Sequence, residues 1–130
     1  MKIYSGKRKS AVAKATVKPG NGKIIINKMP HDYLSNIHKM MVEEPLRIAK
    51  QIGEIKFDIN VNLKGGGKES QIEAARLAIA RALVGEMKSE ALKKAFLAYD
   101  RNMLIADVRR KEPYKPGDSK ARAKRQKSYR

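Results

Sequence analysis

The last 22 residues, 109–130, cannot take part in a hydrophobic core, which confines any fold to the stretch before them. They hold ten Lys or Arg against two acids, Glu112 and Asp118, a net charge of +8. Their few apolar residues, Pro113, Tyr114, Pro116, Ala121, Ala123 and Tyr129, follow neither a helical nor a strand period. Such a segment buries too little surface to offset its ordering entropy, so it is expected to be disordered by itself. A dense negative surface would order it, and nucleic acid is the densest common one. Loss of pattern after about Val108 divides the chain into a folded body, 1–108, and a basic tail, 109–130.

The rest of the charge is arranged to match. Residues 1–28 carry eight Lys or Arg and no acid, whereas 29–108 balance twelve bases against eleven acids. Almost all of the net +17 therefore sits at the two ends of a nearly neutral body, which suits an anionic partner addressed by both termini. The body is long enough for one modest core. With no cysteine there is no disulfide framework and no thiolate metal site. The first residues, Met1–Lys7, lack the apolar stretch of a secretory signal, and no apolar run reaches membrane-spanning length. A cytoplasmic protein acting without membrane insertion is expected.

Within the body, Ala11–Val17 alternates as a half-buried strand, Pro19-Gly20-Asn21-Gly22 signals a turn, and Lys23–Asn27 is β-rich; together they predict a hairpin. Pro45 at a first helical position and Gly53 as a stop frame a short helix through Leu46, Ala49 and Ile52. Lys56–Leu63 is the clearest strand, with Phe57, Ile59, Val61 and Leu63 on one face and Lys56, Asp58, Asn60 and Asn62 on the other. After Gly65-Gly66-Gly67, Ser70 and Glu73 form a capping box for a helix striped by Ile72, Ala75, Ile79, Ala82 and Leu83 and ending near Gly85. Ser89 caps a further helix, Glu90–Tyr99, with Leu92, Ala95, Phe96 and Tyr99 on one side. The expected class is α+β, a small sheet with helices packed on one side and an extended basic tail.

Three groups of residues bear on function. In the tail, Arg109, Arg110, Arg122, Arg125 and Arg130 can bind phosphate bidentately or stack on bases, while Lys115, Lys120, Lys124 and Lys127 act as point charges. Tyr114 and Tyr129 add stacking surfaces, and extended basic chain suits the grooves between RNA helices, where phosphates crowd from several sides. Lys7-Arg8-Lys9, with Lys2, Lys14 and Lys18 and no acid nearby, forms a phosphate-facing cluster. The glycine triplet exceeds what a strand-to-helix turn needs and lets backbone approach another molecule ahead of a helix N-terminus. It is not a phosphate-binding P-loop, because Lys68 is followed by Glu69 and the upstream glycine is missing. His31 and His38 have no third ligand at metal spacing, no Ser nucleophile has a recognisable base, and both histidines are expected at the surface. No active site, cofactor or metal is expected.

These segments resemble a specific family. Gly65-Gly66-Gly67-Lys68-Glu69-Ser70-Gln71-Ile72-Glu73-Ala74, continuing through Ala78, Ala80, Arg81, Ala82 and Leu83, resembles the signature of the ninth protein of the small ribosomal subunit. Gly6-Lys7-Arg8-Lys9-Ser10-Ala11-Val12-Ala13 is similar to the basic approach to that family's first strand. Arg125-Gln126-Lys127-Ser128-Tyr129-Arg130 resembles its archaeal and eukaryotic branch. One departure is Leu104-Ile105-Ala106-Asp107, where members often carry Leu-Thr-Arg-Asp; Arg101 or Arg110 would have to replace any RNA contact of the missing arginine.

The resemblance implies a β-α-β body with a left-handed crossover, shared with other ribosomal proteins and certain kinases. It also implies a place in the subunit head on ribosomal RNA, beside neighbouring head proteins. By the same resemblance, Lys7, Arg8, Lys9, Gly65, Gly66, Gly67 and Lys68 become body contacts to ribosomal RNA, and Arg109, Arg110 and Lys115 to Lys127 its thread. Ser128, Tyr129 and Arg130 become the end nearest the anticodon stem-loop of peptidyl-site transfer RNA. Two other functions share single features: a general nucleic-acid compactor shares the charge, and a small phosphotransferase the glycine loop, though an acid/base pair is missing.

Overall fold

The computed structural model describes residues 2–114 and 129. Five strands and three α-helices follow along the chain in the order β1 (Ile3–Arg8), β2 (Ala11–Pro19), β3 (Ile24–Ile26), β4 (Met29–Pro30), α1 (Asn36–Ile52), β5 (Phe57–Lys64), α2 (Lys68–Met87) and α3 (Glu90–Tyr99). The strands form one mixed sheet in the order β1-β2-β5-β3-β4, and the class is α+β as expected. β1 and β2 pair antiparallel from Ile3↔Thr16 to Arg8↔Ala11, and β2 pairs antiparallel with β5 from Val12↔Lys64 to Pro19↔Phe57. β3 runs parallel to β5, Ile24↔Ile59 to Ile26↔Val61, so β3-α1-β5 is a β-α-β unit.

The expected hairpin between 11–17 and 23–27 does not form, because β5 lies between those two strands. The turn folds around the start of β5 instead: Asn21 and Lys23 donate backbone N–H groups to Asp58 Oδ1 at 2.9 and 2.8 Å. The reason is burial. β5 has the longest apolar alternation, and the central place in the sheet covers Ile59 and Val61 from both sides. The hairpin that does form there is β3–β4, turning at Asn27 and Lys28, which both hold positive φ (48° and 69°) as a two-residue turn between twisted strands requires.

β1 is a strand that the sequence pattern concealed. Its inward residues, Tyr4, Gly6 and Arg8, contain no aliphatic side chain, so no hydrophobic alternation marks it. Tyr4 Oη donates to Glu86 Oε1 at 2.8 Å, and burial, with that carboxylate, pushes the phenol up to about 12. Helix α1 starts at Asn36 rather than Pro45, which lies buried inside the helix. Val42, Leu46 and Ala49 continue one apolar stripe across the proline, so packing outweighs the one backbone bond it removes.

Helix α2 begins with Gly67 as its N-cap and makes no side-chain cap, so the expected Ser70–Glu73 box is absent. Gln71 Nε2 donates back to the Gly65 carbonyl at 3.0 Å, and Glu73 is drawn to Arg8. The helix passes Gly85 and ends at Met87, with Lys88 in the left-handed region. It is buried on more than its expected stripe, including Ala74, Leu77, Ala78 and Ala80, because it packs on β1, β2 and β5 on one side and on α1 and α3 on another. Helix α3 matches its expected range, and Ser89 Oγ accepts from the Leu92 N–H at 3.3 Å. Leu92 and Phe96 are buried there, whereas Tyr99 points to solvent.

Candidate nucleic-acid interface

Two clusters far apart in sequence meet at one end of the sheet. The β1–β2 turn carries Lys7, Arg8 and Lys9, and the Gly65–Gly67 turn packs directly on its far side. A Cβ on Gly65 would lie 2.7 Å from the Ser10 carbonyl oxygen, and one on Gly66 would lie 2.9 Å from Ala11 Cβ. Both glycines also hold positive φ, 76° and 69°, so geometry accounts for two of the triplet. Gly67 is different. A Cβ there meets nothing within 4 Å, which leaves its backbone open to an approaching molecule at the first turn of α2. Lys7, Lys9 and Lys68 are exposed around this point.

The tail root arrives at the same place, steered by half-buried arginines. Arg76 holds Glu44 at 2.6 Å and Asp100 at 2.8 Å, tying α1, α2 and the end of α3 together. Arg81 donates to the Leu104 carbonyl at 3.1 Å and to the Ser5 carbonyl at 2.7 Å, laying the outgoing chain along β1. Arg8 then pairs with Glu73 and with Asp107. Asp107 in turn takes Arg109, through Nη2 at 2.7 Å and through its backbone N–H at 2.8 Å. As a result Arg109, Arg110 and Lys111 line a shallow hollow with Lys9 and Ser10. Arg8, with its side chain only 14% exposed, faces these acids rather than solvent. Arg109 and Arg110 are exposed, and Lys111 Nζ donates to Tyr114 Oη at 2.8 Å.

Lys115, Lys120, Arg122, Lys124, Arg125, Lys127, Ser128 and Arg130 lie outside the described residues, and Tyr129 is exposed. The anchoring set of Arg76, Arg81, Asp100 and Asp107 was not legible as a site. Its signal was faint: acids sitting next to the basic tail and an arginine in the middle of an apolar helix.

Arg109's side chain and backbone N–H, with the charge of Arg8 behind them, hold the Asp107 carboxyl far below the usual carboxylate range. Because folding lowers this pKa, the pairs stabilise the folded chain above the ordinary aspartate value of about 3.9 and lose that contribution as pH falls toward the folded-state value. Asp107→Asn should therefore unfold more easily than wild type near neutrality, with the gap in unfolding midpoint closing below about pH 4. A gap that stays constant in acid would show that Asp107 stabilises by something other than its charge.

The histidines are half-buried rather than at the surface. His38 Nε2 lies 2.8 Å from Glu69 Oε1, and His31 Nδ1 lies 3.3 Å from the Ile24 carbonyl. The fold brings Asp32 and Glu43 beside His31, with ligand atoms within 4.8 Å of one another, which sequence spacing did not show. The ammonium of Lys39, 2.6 Å from Asp32, already supplies the positive charge there. Among the described residues no helix is long and apolar enough to cross a membrane.

Fold and charge together define a class: a small α+β protein with Lys7, Lys9, Lys68, Arg109 and Arg110 exposed around one end of its sheet. The family follows from comparison with known proteins. Residues 6–130 match the family described as Ribosomal protein S9/S16. The Small ribosomal subunit protein uS9 of Methanococcus vannielii is 46% identical over 129 residues, covering 96% of this chain and 95% of that protein. Its namesake in Desulfurococcus amylolyticus is 45% identical over 129 residues, covering 98% and 91%. That of Methanococcus maripaludis strain C5 is 48% identical over 130 residues, covering 96% and 95%. The chain belongs to the ribosomal protein S9/S16 family, a family of ribosomal proteins and not of enzymes.

Proposed function

We propose that this chain is a structural constituent of the small ribosomal subunit head, in the cytoplasmic ribosome, bound to small-subunit ribosomal RNA beside neighbouring head proteins. The observation that carries this reading is the convergence of three separate segments, the Lys7–Lys9 turn, the glycine turn and the tail root, at one end of the body. Body 1–108 docks first through Lys7, Lys9, Gly65, Gly66, Gly67 and Lys68. Arg8 contributes by seating Asp107, which aims Arg109 and Arg110 outward from the same pole. The tail, 109–130, then follows RNA phosphates through Lys115, Lys120, Arg122, Lys124, Arg125 and Lys127. Ser128, Tyr129 and Arg130 reach the anticodon stem-loop of peptidyl-site transfer RNA.

Two measurements test this. The native protein should sediment with small ribosomal subunits, and free protein at the top of the gradient would refute the reading. Removing residues 128–130 should leave subunit yield unchanged but speed release of peptidyl-site transfer RNA severalfold. Loss of assembly and of transfer RNA in equal measure would refute the division between thread and tip.

A further inference from the structure

We propose that the open face of the sheet is a second docking surface, one that takes double-helical RNA through its phosphates and 2′-hydroxyls rather than through unpaired bases. The proposal rests on the ribosomal reading above for its partner, and extends it to the face of β2 and β5 opposite α2, which at one end reaches Gly65.

The strand register defines the surface. Ala11, Ala13 and Ala15 of β2 and Ile59 and Val61 of β5 face α2 and are buried. The residues between them, Lys14, Thr16 and Lys18 on β2 and Asn60, Asn62 and Lys64 on β5, lie on the opposite side, where two shallow hollows run along the sheet without any helical residue in their walls. Lys28, from the β3–β4 turn, borders the same surface. Among the described residues, Lys14, Lys18, Lys28 and Lys64 are exposed and none pairs with a carboxylate. Asp58 is the one acid at a β5 position on this face. Its carboxylate accepts from the backbone N–H groups of Lys23 and Asn21, which hold its pKa down, and although Lys18 is its register partner the two form no ion pair.

Spacing and chemistry narrow the partner. Lys64 stands diagonally across from Lys14, about 7–8 Å away along a pleated pair, and Lys18 is about 13 Å further along β2. Four like charges on a flat surface repel one another until a polyanion meets them. Between them lies a neutral strip of Thr16, Asn60 and Asn62, where the Thr16 hydroxyl donates to the Asn60 carbonyl at 3.2 Å, the Asn60 side-chain oxygen is buried, and the Asn62 amide is exposed. The exposed Asn62 amide suits a 2′-hydroxyl, because each of the two both donates and accepts. Platforms for single strands instead present aromatic rings to unstacked bases. Here, among the described residues, the aromatics of the sheet are Tyr4 and Phe57, and both pack against the core. A flat, aromatic-free, cationic face matches the wide and shallow minor groove of A-form RNA.

The test uses the full chain carrying Lys14→Gln, Lys18→Gln and Lys64→Gln together, checked for an unchanged melting curve, on small-subunit ribosomal RNA. Backbone cleavage protection should disappear from a base-paired segment while tail-dependent protections persist. The salt slope of binding should flatten by about 3, near −0.9 per lost phosphate contact on a duplex. Asn62→Ala should leave that slope unchanged yet narrow the preference for a synthetic RNA duplex over a DNA duplex. A triple variant with native protections and slope would overturn the proposal. So would protections confined to unpaired loops, or equal loss of binding to phosphatidylserine vesicles and to RNA. Failure of the unsubstituted protein to bind ribosomal RNA at all would instead overturn the ribosomal reading itself.

Discussion

Gly6→Ala should destabilise the protein by about 3 kcal/mol, lowering its melting temperature by on the order of 10 °C or more. Gly6 sits in the middle of β1, buried, and an added Cβ would lie 2.1 Å from the Ala74 carbonyl oxygen and 2.9 Å from the Ala78 nitrogen. Both atoms are backbone of α2, so no side chain can rotate away. Retreat of the helix would open its contacts with Ala11, Ala13 and Ala15, all fully buried. Against a total stability of about 5–15 kcal/mol, a loss of this size is severe. Gly67→Ser is the matched comparison: its Cβ meets nothing within 4 Å, and serine is a favoured N-cap. Its melting curve should be unchanged or slightly improved. Thermal unfolding of both variants checks the account, and a Gly6→Ala protein that melts like wild type would discredit the close approach of β1 to α2.

Removing residues 109–130 should reduce the steepness with which ribosomal-RNA binding falls with salt, while the body melts as before. The segment holds ten cations, and if roughly six meet phosphates, its share of the log–log slope is about −4. The body loses little by the cut, because Arg8 keeps its pairs with Glu73 and Asp107 and loses only the exposed Arg109 from the cluster. Solvent screening leaves exposed ion pairs of that kind little weight in stability. Filter binding across a salt series, beside a melting curve of the truncated chain, gives both readouts. An unchanged slope would sink the thread model, and a body that no longer folds would show that residues 109–114 belong to its core.

The two ion-pair systems explain why so little of the anchoring was visible beforehand. Arg8 belongs to a basic tripeptide, and nothing local distinguishes it from Lys7 and Lys9. Only the strand's pleat turns it inward, toward Glu73 and Asp107, which lie far away in the chain. The missed strand β1 has the same cause: glycine, tyrosine and arginine on its inner face leave no apolar alternation to detect. The mistaken hairpin is a competition between partners. Residues 11–17 and 24–26 both read as strands, but which neighbour each takes depended on where Phe57–Lys64 could bury most surface. Pro45 shows local chemistry overruled by the packing of Val42, Leu46 and Ala49.

What the linear chain settles for itself is whatever depends on composition and short-range period. That includes the α+β class, the strict alternation of β5, the Ser89-capped α3, the cationic ends and the family signature around Gly65–Gly67. What only the folded molecule decides is the address of each charge. It separates Lys7 and Lys9, left outward beside the glycine turn, from Arg8, taken into ion pairs, and it leaves Lys14, Lys18 and Lys64 unpaired on one flat face. The physical reason is that net charge is a sum over residues, whereas the field that an RNA partner meets depends on which cations the fold has already paired.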